Sequence, residues 1–296
     1  MTEVPEPVPG PDEVVVEIDA GHVLWVETAV RRGLGKDWFP LRPPYTPGTG
    51  VAGVEVESGR RVVAHTGVGG GYAERVVVPR AHVTPLPPEV PSLDAAALVH
   101  DATTAQALFE ALAIGSQDSV LVVGASGGLG LICLQLARLR AKSVIALARD
   151  AEKIARIEAL GFDVIDTEQV DWADQVRDQL PDGADVVLDN VGGPLAQSVV
   201  ELLAHGGRWS AHGMPGGNFT TIDQSQLSAR GQQLVGLDAV QLPLERRITL
   251  IAQGLDLAAR GDLHAIVGQT FPLDNVVAAH EAVEARTVFG STVLIP

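Results

Sequence analysis

The chain has one cysteine, Cys133, among its 296 residues. A lone thiol excludes an internal disulfide and any cysteine-based zinc site, and it suits a reducing cytoplasm. Basic residues are also scarce: 21 Lys and Arg stand against 37 Asp and Glu, for a net charge of −16. A chain so negative repels phosphate backbones and anionic lipid surfaces, so neither nucleic acid nor a membrane is an expected partner. No apolar run reaches the roughly 18 residues that a membrane span needs. The opening MTEVPEPVPGPDE lacks the basic and apolar regions of a secretory signal. The histidines are scattered, with no HxH or HxxxH pair on which a metal site would be built. There is no internal repeat.

What is present is enough apolar residue, 46%, to build a real core. Residues 1–98 are rich in Val, Pro and Gly, with short strand-like runs at Glu13–Ile18, Gly50–Val56, Arg61–His65 and Ala73–Val78. From about Leu93 the texture changes. An Ala- and Leu-rich helical stretch, Ala95–Ala113, leads into alternating strand and helix: Ser119–Val123, Leu129–Arg140, Ser143–Ala148, Ala151–Leu160, Val164–Ile165, Trp172–Gln179, Ala184–Asp189, Leu195–Leu203, Gly207–His212 and Gln233–Leu237. That alternation predicts an α/β fold with a doubly wound parallel sheet over 99–240. After Pro243 come a long helix, Leu244–Arg260, and two strand-like runs around His264–Phe271 and Ser291–Ile295, with a helix at Leu273–Ala285 between them. Residues 241–296 share the texture of residues 1–98, so the two stretches are expected to form one β-rich domain.

The strongest local signal is VLVVGASGGLGLICLQLA. An apolar strand runs into Ser126, Gly127, Gly128, Leu129 and Gly130 and then into an amphipathic helix, the setting that a dinucleotide fingerprint requires. Gly127 lets backbone approach a pyrophosphate, Gly130 lets helix pack on strand, and the helix N-terminus offers N–H groups and a favourable dipole to the anion. The next strand bears on the choice of cofactor. Where an NAD binder places a carboxylate for the ribose 2′-OH, this chain has Ala148, followed by Arg149 and, one turn later, Lys153. Two cations suit a 2′-phosphate, so NADPH is expected over NADH. A shift of register by one or two residues would instead make Asp150 a ribose ligand.

The stretches RRGLGKDWFPLRPPYTPGTGVAGV, GGYAERVVVP, HDATTAQAL, GASGGLGLICLQLA, VIDTEQVDW, DVVLDNVGG, GGRWSAHGMPGG and FGSTVLIP run in order along nearly the whole chain. Together they resemble the zinc-free quinone oxidoreductases of the medium-chain dehydrogenase/reductase superfamily, in an actinobacterial "zinc-binding dehydrogenase" branch. The resemblance implies a GroES-like domain built from both chain ends around a Rossmann domain. It implies NADPH-dependent reduction of a quinone or an α,β-unsaturated carbonyl without zinc, in a homodimer. Gln233–Leu237, read as an apolar edge strand, is the expected dimer edge.

Carried over by the resemblance, the pyrophosphate loop is Ser126 to Gly130, and the 2′-phosphate site is Arg149 and Lys153. Asn190, Val191 and Gly192 fall beside the nicotinamide ribose. His212, Gly213 and Met214 fall near the carboxamide, Thr104 near the nicotinamide, and Phe289 with Gly290 on a closing C-terminal loop. The chain departs from the family pattern in several places. A strand that the family has ahead of EVPEPVPGP is missing, and the loop between Val56 and Arg61 is short. Gly21-His22-Val23 lacks a substrate-side asparagine, Thr167 replaces a tyrosine, and Ser291 replaces a lysine. The resemblance also places Tyr45, His65, Tyr72, His100 and Asp101 around the cleft. Of these, Tyr72 and His100 are the catalytic candidates. The packing alternative makes Tyr72 a structural ring and His100-Asp101 a helix cap. A non-catalytic or redox-neutral NADPH-binding protein on the same scaffold is the alternative function.

Overall fold

The computed structural model describes residues 3–34, 41–67, 69–219 and 222–296; residues 35–40, within the first stretch that carries the family resemblance, lie outside the described residues. The chain divides into two compact units, Met1–Thr103 with Pro243–Pro296, and Thr104–Leu242. The first part of the chain forms β1 (Glu13–Val23), α1 (Trp25–Arg31), β2 (Gly50–Glu55), β3 (Arg61–His65), β4 (Arg75–Pro79), β5 (Val83–Pro85) and α2 (Ser92–Ala111). The central part forms β6 (Ser119–Val123), α3 (Gly128–Arg140), β7 (Ser143–Ala148), α4 (Ala151–Ala159), β8 (Asp163–Asp166), α5 (Trp172–Gln179), β9 (Ala184–Asp189), α6 (Gly193–Val199), β10 (Leu203–Ala211), α7 (Gln224–Ala229) and β11 (Gln233–Val235). The last part forms α8 (Leu244–Ala259), β12 (Val267–Pro272), α9 (Val276–Ala285) and β13 (Ser291–Ile295).

The discontinuous unit is organised around β1. Val14, Val16, Ile18 and Ala20 point inward, while Glu17 and Asp19 alternate outward. Strands β2, β4 and β13 all pair with β1 antiparallel, in a sheet ordered β12-β13-β1-β2-β3-β5. Val14, Val16, Val51, Val62 and Val78 close one side of the sheet. On another, Ala95, Ala96 and Val99 of α2 pack with Ile251 and Leu255 of α8 and Val293 of β13.

The continuous unit holds a six-stranded sheet ordered β11-β10-β9-β6-β7-β8, every pair parallel. Every residue of β6 is buried, as expected for a central strand covered on both faces. The chain runs outward from β6 through β7 to β8, then returns to β9 and runs the other way. The winding therefore reverses between β6 and β9, and in open parallel sheets ligands bind outside the carboxyl ends at that point.

Three local expectations are corrected. The helix placed at Leu195–Leu203 ends earlier, because Leu203 already pairs with Ala184 as the first residue of β10. The helix at Leu273–Ala285 opens with a 3-10 turn, and α proper begins at Val276. His100 and Asp101 are not a cap: α2 begins at Ser92, two turns earlier. Helix α1 was not legible, because VLWVETAV is apolar without a helical period. It is started by Glu27, whose carboxylate accepts the Leu24 N–H at 2.9 Å.

Candidate functional site

The glycine loop joins β6 to α3 at the point where the winding reverses. Gly124 turns the chain at φ +71°. A Cβ on Gly130 would lie 2.5 Å from the Gly124 carbonyl oxygen, so only glycine lets α3 approach the strand this closely. Gly127 differs. A Cβ there would meet nothing nearer than the Gly124 oxygen at 3.9 Å. The protein's own packing does not demand glycine at that position. Gly127 is also the N-cap of α3, so no side chain satisfies the first amides of the helix, those of Gly128, Leu129 and Gly130. Ser126 and the loop glycines Gly127 and Gly128 are half-buried.

The next strand, β7, ends at Ala148, and Asp150 is not displaced into that position. Asp150 instead caps α4, its Oδ1 accepting the N–H groups of Glu152 at 3.0 Å and Lys153 at 3.3 Å. Arg149 is exposed and Lys153 half-buried. Burial lowers the Lys153 pKa, and the neighbouring Arg149 charge lowers it further, while Asp150 opposes. Across the strand from Ala148, Asp166 spends its oxygens on the Glu168 N–H and the Gln169 amide. Thr167 donates both its N–H and its hydroxyl to the Ala148 carbonyl.

On the other side of the reversal, the ends of β9 and β10 are tied together. The Asn190 side chain donates to the Val123 carbonyl at 2.9 Å, and its Oδ1 lies 3.0 Å from His212 Nε2. The other ring nitrogen of His212 lies 3.1 Å from Ser210 Oγ. Buried Asp189 accepts the N–H groups of Val191 and Gly192 at 2.9 and 2.8 Å, a role that sequence reading did not assign. The Gly213 N–H donates to the Asp189 carbonyl and the Gly216 N–H to Val191, so the two loops run backbone against backbone. A Cβ on Gly192 or Gly213 would collide with the facing main chain. Met214, half-buried, follows on the same loop. The structure thus gathers Ser126 to Gly130, Asn190 to Gly192 and His212 to Met214 on one edge of one sheet, with Arg149 and Lys153 one strand away. Thr104 is buried in α2.

Tyr72, His100, Phe289 and Gly290 belong to the discontinuous unit. The Tyr72 hydroxyl donates to Glu27 Oε2 at 2.6 Å and lies 3.3 Å from His280 Nε2, with the two rings edge to face. Burial and the Glu27 carboxylate push the Tyr72 pKa well above 10. Glu27 also accepts the Thr49 N–H, and burial raises its own pKa against these donors. This geometry supports the packing role of Tyr72. His100 is more open. Its Nδ1 lies 3.5 Å from Asp101 Oδ1, and buried Asp101 also accepts Ser291 Oγ at 3.4 Å, with His22 Nε2 at 3.8 Å. Burial lowers the His22 pKa and keeps that ring neutral. His22 Nδ1 and the Tyr45 hydroxyl are buried without a hydrogen-bond partner. Phe289 is buried, and Gly290, at φ +83°, passes so close to the Ile266 carbonyl that no Cβ fits. Among the described residues, no three His, Cys, Asp or Glu side chains come together as a metal site would require. No helix among them is long and apolar enough to cross a membrane.

A family model described as "Zinc-binding dehydrogenase" matches residues 128–253. The quinone oxidoreductase of Mus musculus is 29% identical over 301 residues, covering 95% of this chain and 88% of that protein. The structure of the quinone oxidoreductase from Thermus thermophilus, also solved with NADPH, is 30% identical with a TM-score of 0.86, covering 100% of this chain and 95% of that one. The chain belongs to the quinone oxidoreductase family of the medium-chain dehydrogenase/reductase superfamily. A solved NAD-dependent alcohol dehydrogenase is similar to the same extent, at 29% identity, a TM-score of 0.86 and 95% of its length covered. Membership in the quinone oxidoreductase family makes this chain an oxidoreductase.

Proposed function

We propose that this oxidoreductase passes a hydride from NADPH to a quinone or another α,β-unsaturated carbonyl compound, without zinc. The observation that carries the reading is Gly127. Its side-chain space is empty, it lies where the winding of the sheet reverses, and the helix that it opens has no cap of its own. An anion with close-fitting oxygens fills that space and satisfies the first amides of α3, so the residues fit a dinucleotide pyrophosphate. When bound, the nicotinamide ring supplies the hydride.

The chain's own residues then bind, orient and supply a proton. Ser126 to Gly130 hold the pyrophosphate. Arg149 and Lys153 face the 2′-phosphate, since Ala148 offers no carboxylate to a ribose hydroxyl and Asp150 is engaged in its cap. Asn190 to Gly192, His212 to Met214 and Thr104 position the nicotinamide half. His100, its Nδ1 3.5 Å from Asp101 Oδ1, delivers a proton from Nε2 of its doubly protonated ring to the enolate oxygen or carbon and is left as the neutral imidazole. Tyr72 braces that region through Glu27. The single cysteine, in the core of α3, leaves no basis for a thiolate-bound zinc. The reading extends to a cytoplasmic homodimer joined along the β11 edge, where light scattering of the purified chain would return twice 31.0 kDa.

The test is direct. NADPH mixed with the purified chain and a panel of quinones and enones is expected to lose its absorbance near ~340 nm only when a substrate is present. Saturable NADPH binding with no oxidation across the panel would instead support a redox-neutral or non-catalytic role.

A further inference from the structure

Strand β10 carries a hydroxyl where its neighbours in the chain are apolar. Ser210 is fully buried and lies between Trp209 and Ala211, themselves buried. It pairs with Leu188 of β9 and Val235 of β11 through the main chain, and that ladder needs no side-chain oxygen. A buried hydroxyl costs stability unless hydrogen bonds replace its water. Those of Ser210 are specific. Its Oγ accepts the Asp189 N–H at 3.3 Å and lies 3.1 Å from His212 Nδ1.

The direction of each bond beyond Ser210 follows from chemistry. The Val123 carbonyl only accepts, so the Asn190 amide turns its NH2 toward it, at 2.9 Å, and its Oδ1 away. Oδ1 then faces His212 Nε2 at 3.0 Å. An amide oxygen also only accepts, so Nε2 carries the ring proton. In the neutral ring Nδ1 is therefore an acceptor, and the Ser210 hydroxyl donates to it. The Asn190 backbone N–H joins its side chain on the Val123 carbonyl, at 3.3 Å. One chain of hydrogen bonds thus runs from Ser210 through His212 and Asn190 to Val123, from β10 across the end of β9 to the last residue of β6. Gly124, which opens the glycine loop, follows directly, and a Cβ on it would meet Val191 Cγ2 at 2.5 Å.

We propose that Ser210 is a positioning residue for the nicotinamide half of the cofactor. Its hydroxyl fixes the His212 ring, the ring fixes the Asn190 amide, and the amide holds the Asn190–Gly192 turn against the start of the glycine loop. Without the hydroxyl, Nδ1 of the half-buried ring loses this donor, and a rotation that carries Nδ1 toward water carries the Nε2 proton away from Asn190. Arg149 and Lys153 follow β7, on the other side of β6, so the adenosine half is indifferent to Ser210. The consequence for binding rests on the dinucleotide reading of the site.

The experiment compares NADPH with 2′-phospho-ADP-ribose, which lacks the nicotinamide, by calorimetry in the wild-type chain and in Ser210→Ala. NADPH should bind Ser210→Ala about tenfold more weakly, while the fragment stays within about twofold. NMR of the histidine ring nitrogens in the cofactor-free wild type, at neutral pH, should find His212 protonated at Nε2. Protonation at Nδ1 would reverse the chain and overturn the proposal. An unchanged NADPH affinity in Ser210→Ala would overturn it too, as would an equal loss for both ligands, the mark of a sheet loosened as a whole. Circular dichroism checks folding. If Ser210→Ala does not fold, Ser210→Cys, similar in size and only a weak donor, carries the same comparison. A wild type that binds neither ligand would sink the dinucleotide reading and this role with it, whereas normal wild-type binding with an indifferent variant sinks this role alone.

Discussion

Helices α3 and α4 start at the same edge of the same parallel sheet, one strand apart, and they are finished differently. Helix α4 is closed by its own sequence, with the Asp150 carboxylate accepting two of its first amides. Helix α3 starts at a glycine, without a side-chain cap and with open space where a side chain would stand. Capping is worth about 1 kcal/mol to a helix, so leaving a first turn bare forgoes stability unless something else binds there. The difference separates a helix end that serves the fold from one kept for a ligand.

The largest expected effect contrasts the two glycines of the α3 loop. Gly130→Ala puts a Cβ 2.5 Å from the Gly124 oxygen and should destabilise the fold by about 3 kcal/mol in chemical denaturation. Gly127→Ala has room within the protein, so stability should stay within about 0.5 kcal/mol while NADPH affinity drops tenfold or more. Equal loss of stability in both would mean that Gly127, too, serves only packing.

The second effect lies on the α4 side. Arg149→Ala should weaken NADPH by about tenfold and leave NADH nearly unchanged in fluorescence titrations. Ala148→Asp should move the preference toward NADH. A smaller effect is expected of the cap: Asp150→Ala should cost about 1 kcal/mol of stability with no change in NADH affinity. A large loss of NADH affinity would make Asp150 a ribose ligand and erase the contrast between the two helix ends.

The smallest effect is a pH dependence. In the site we propose, the charged form of Lys153 is the one that would pair with a 2′-phosphate, and burial holds its pKa below the ordinary 10.5. NADPH affinity should therefore decline with rising pH earlier than an unperturbed lysine allows, while NADH affinity stays flat. Lys153→Arg should carry the NADPH preference to higher pH. A flat NADPH profile in the wild type would remove Lys153 from the site.

The central sheet was legible for a physical reason. Parallel strands covered on both faces read as continuous apolar runs, as in Ser119–Val123 and Ala184–Asp189, and helices of 3.6-residue period separate them. The glycine loop was legible because its constraints are local. Elements without a local signal were missed or misplaced. Helix α1 is set by Glu27, which reaches back to Leu24 and across to Thr49 and Tyr72. The end of α6 is set by the pairing of Leu203 with Ala184.

The division recurs in the candidate site. Sequence by itself determined the parallel sheet, the Gly124–Gly130 loop, the lack of a carboxylate at Ala148 and the excess of acid, because propensity, spacing and composition act over a few residues. Only the tertiary structure decided that Asp150 caps a helix, that Asp189 holds the Val191–Gly192 turn and that the Tyr72 hydroxyl is committed to Glu27. These are hydrogen bonds between residues up to 45 positions apart, such as Tyr72 and Glu27, and their energies depend on burial, which no local pattern in the chain encodes.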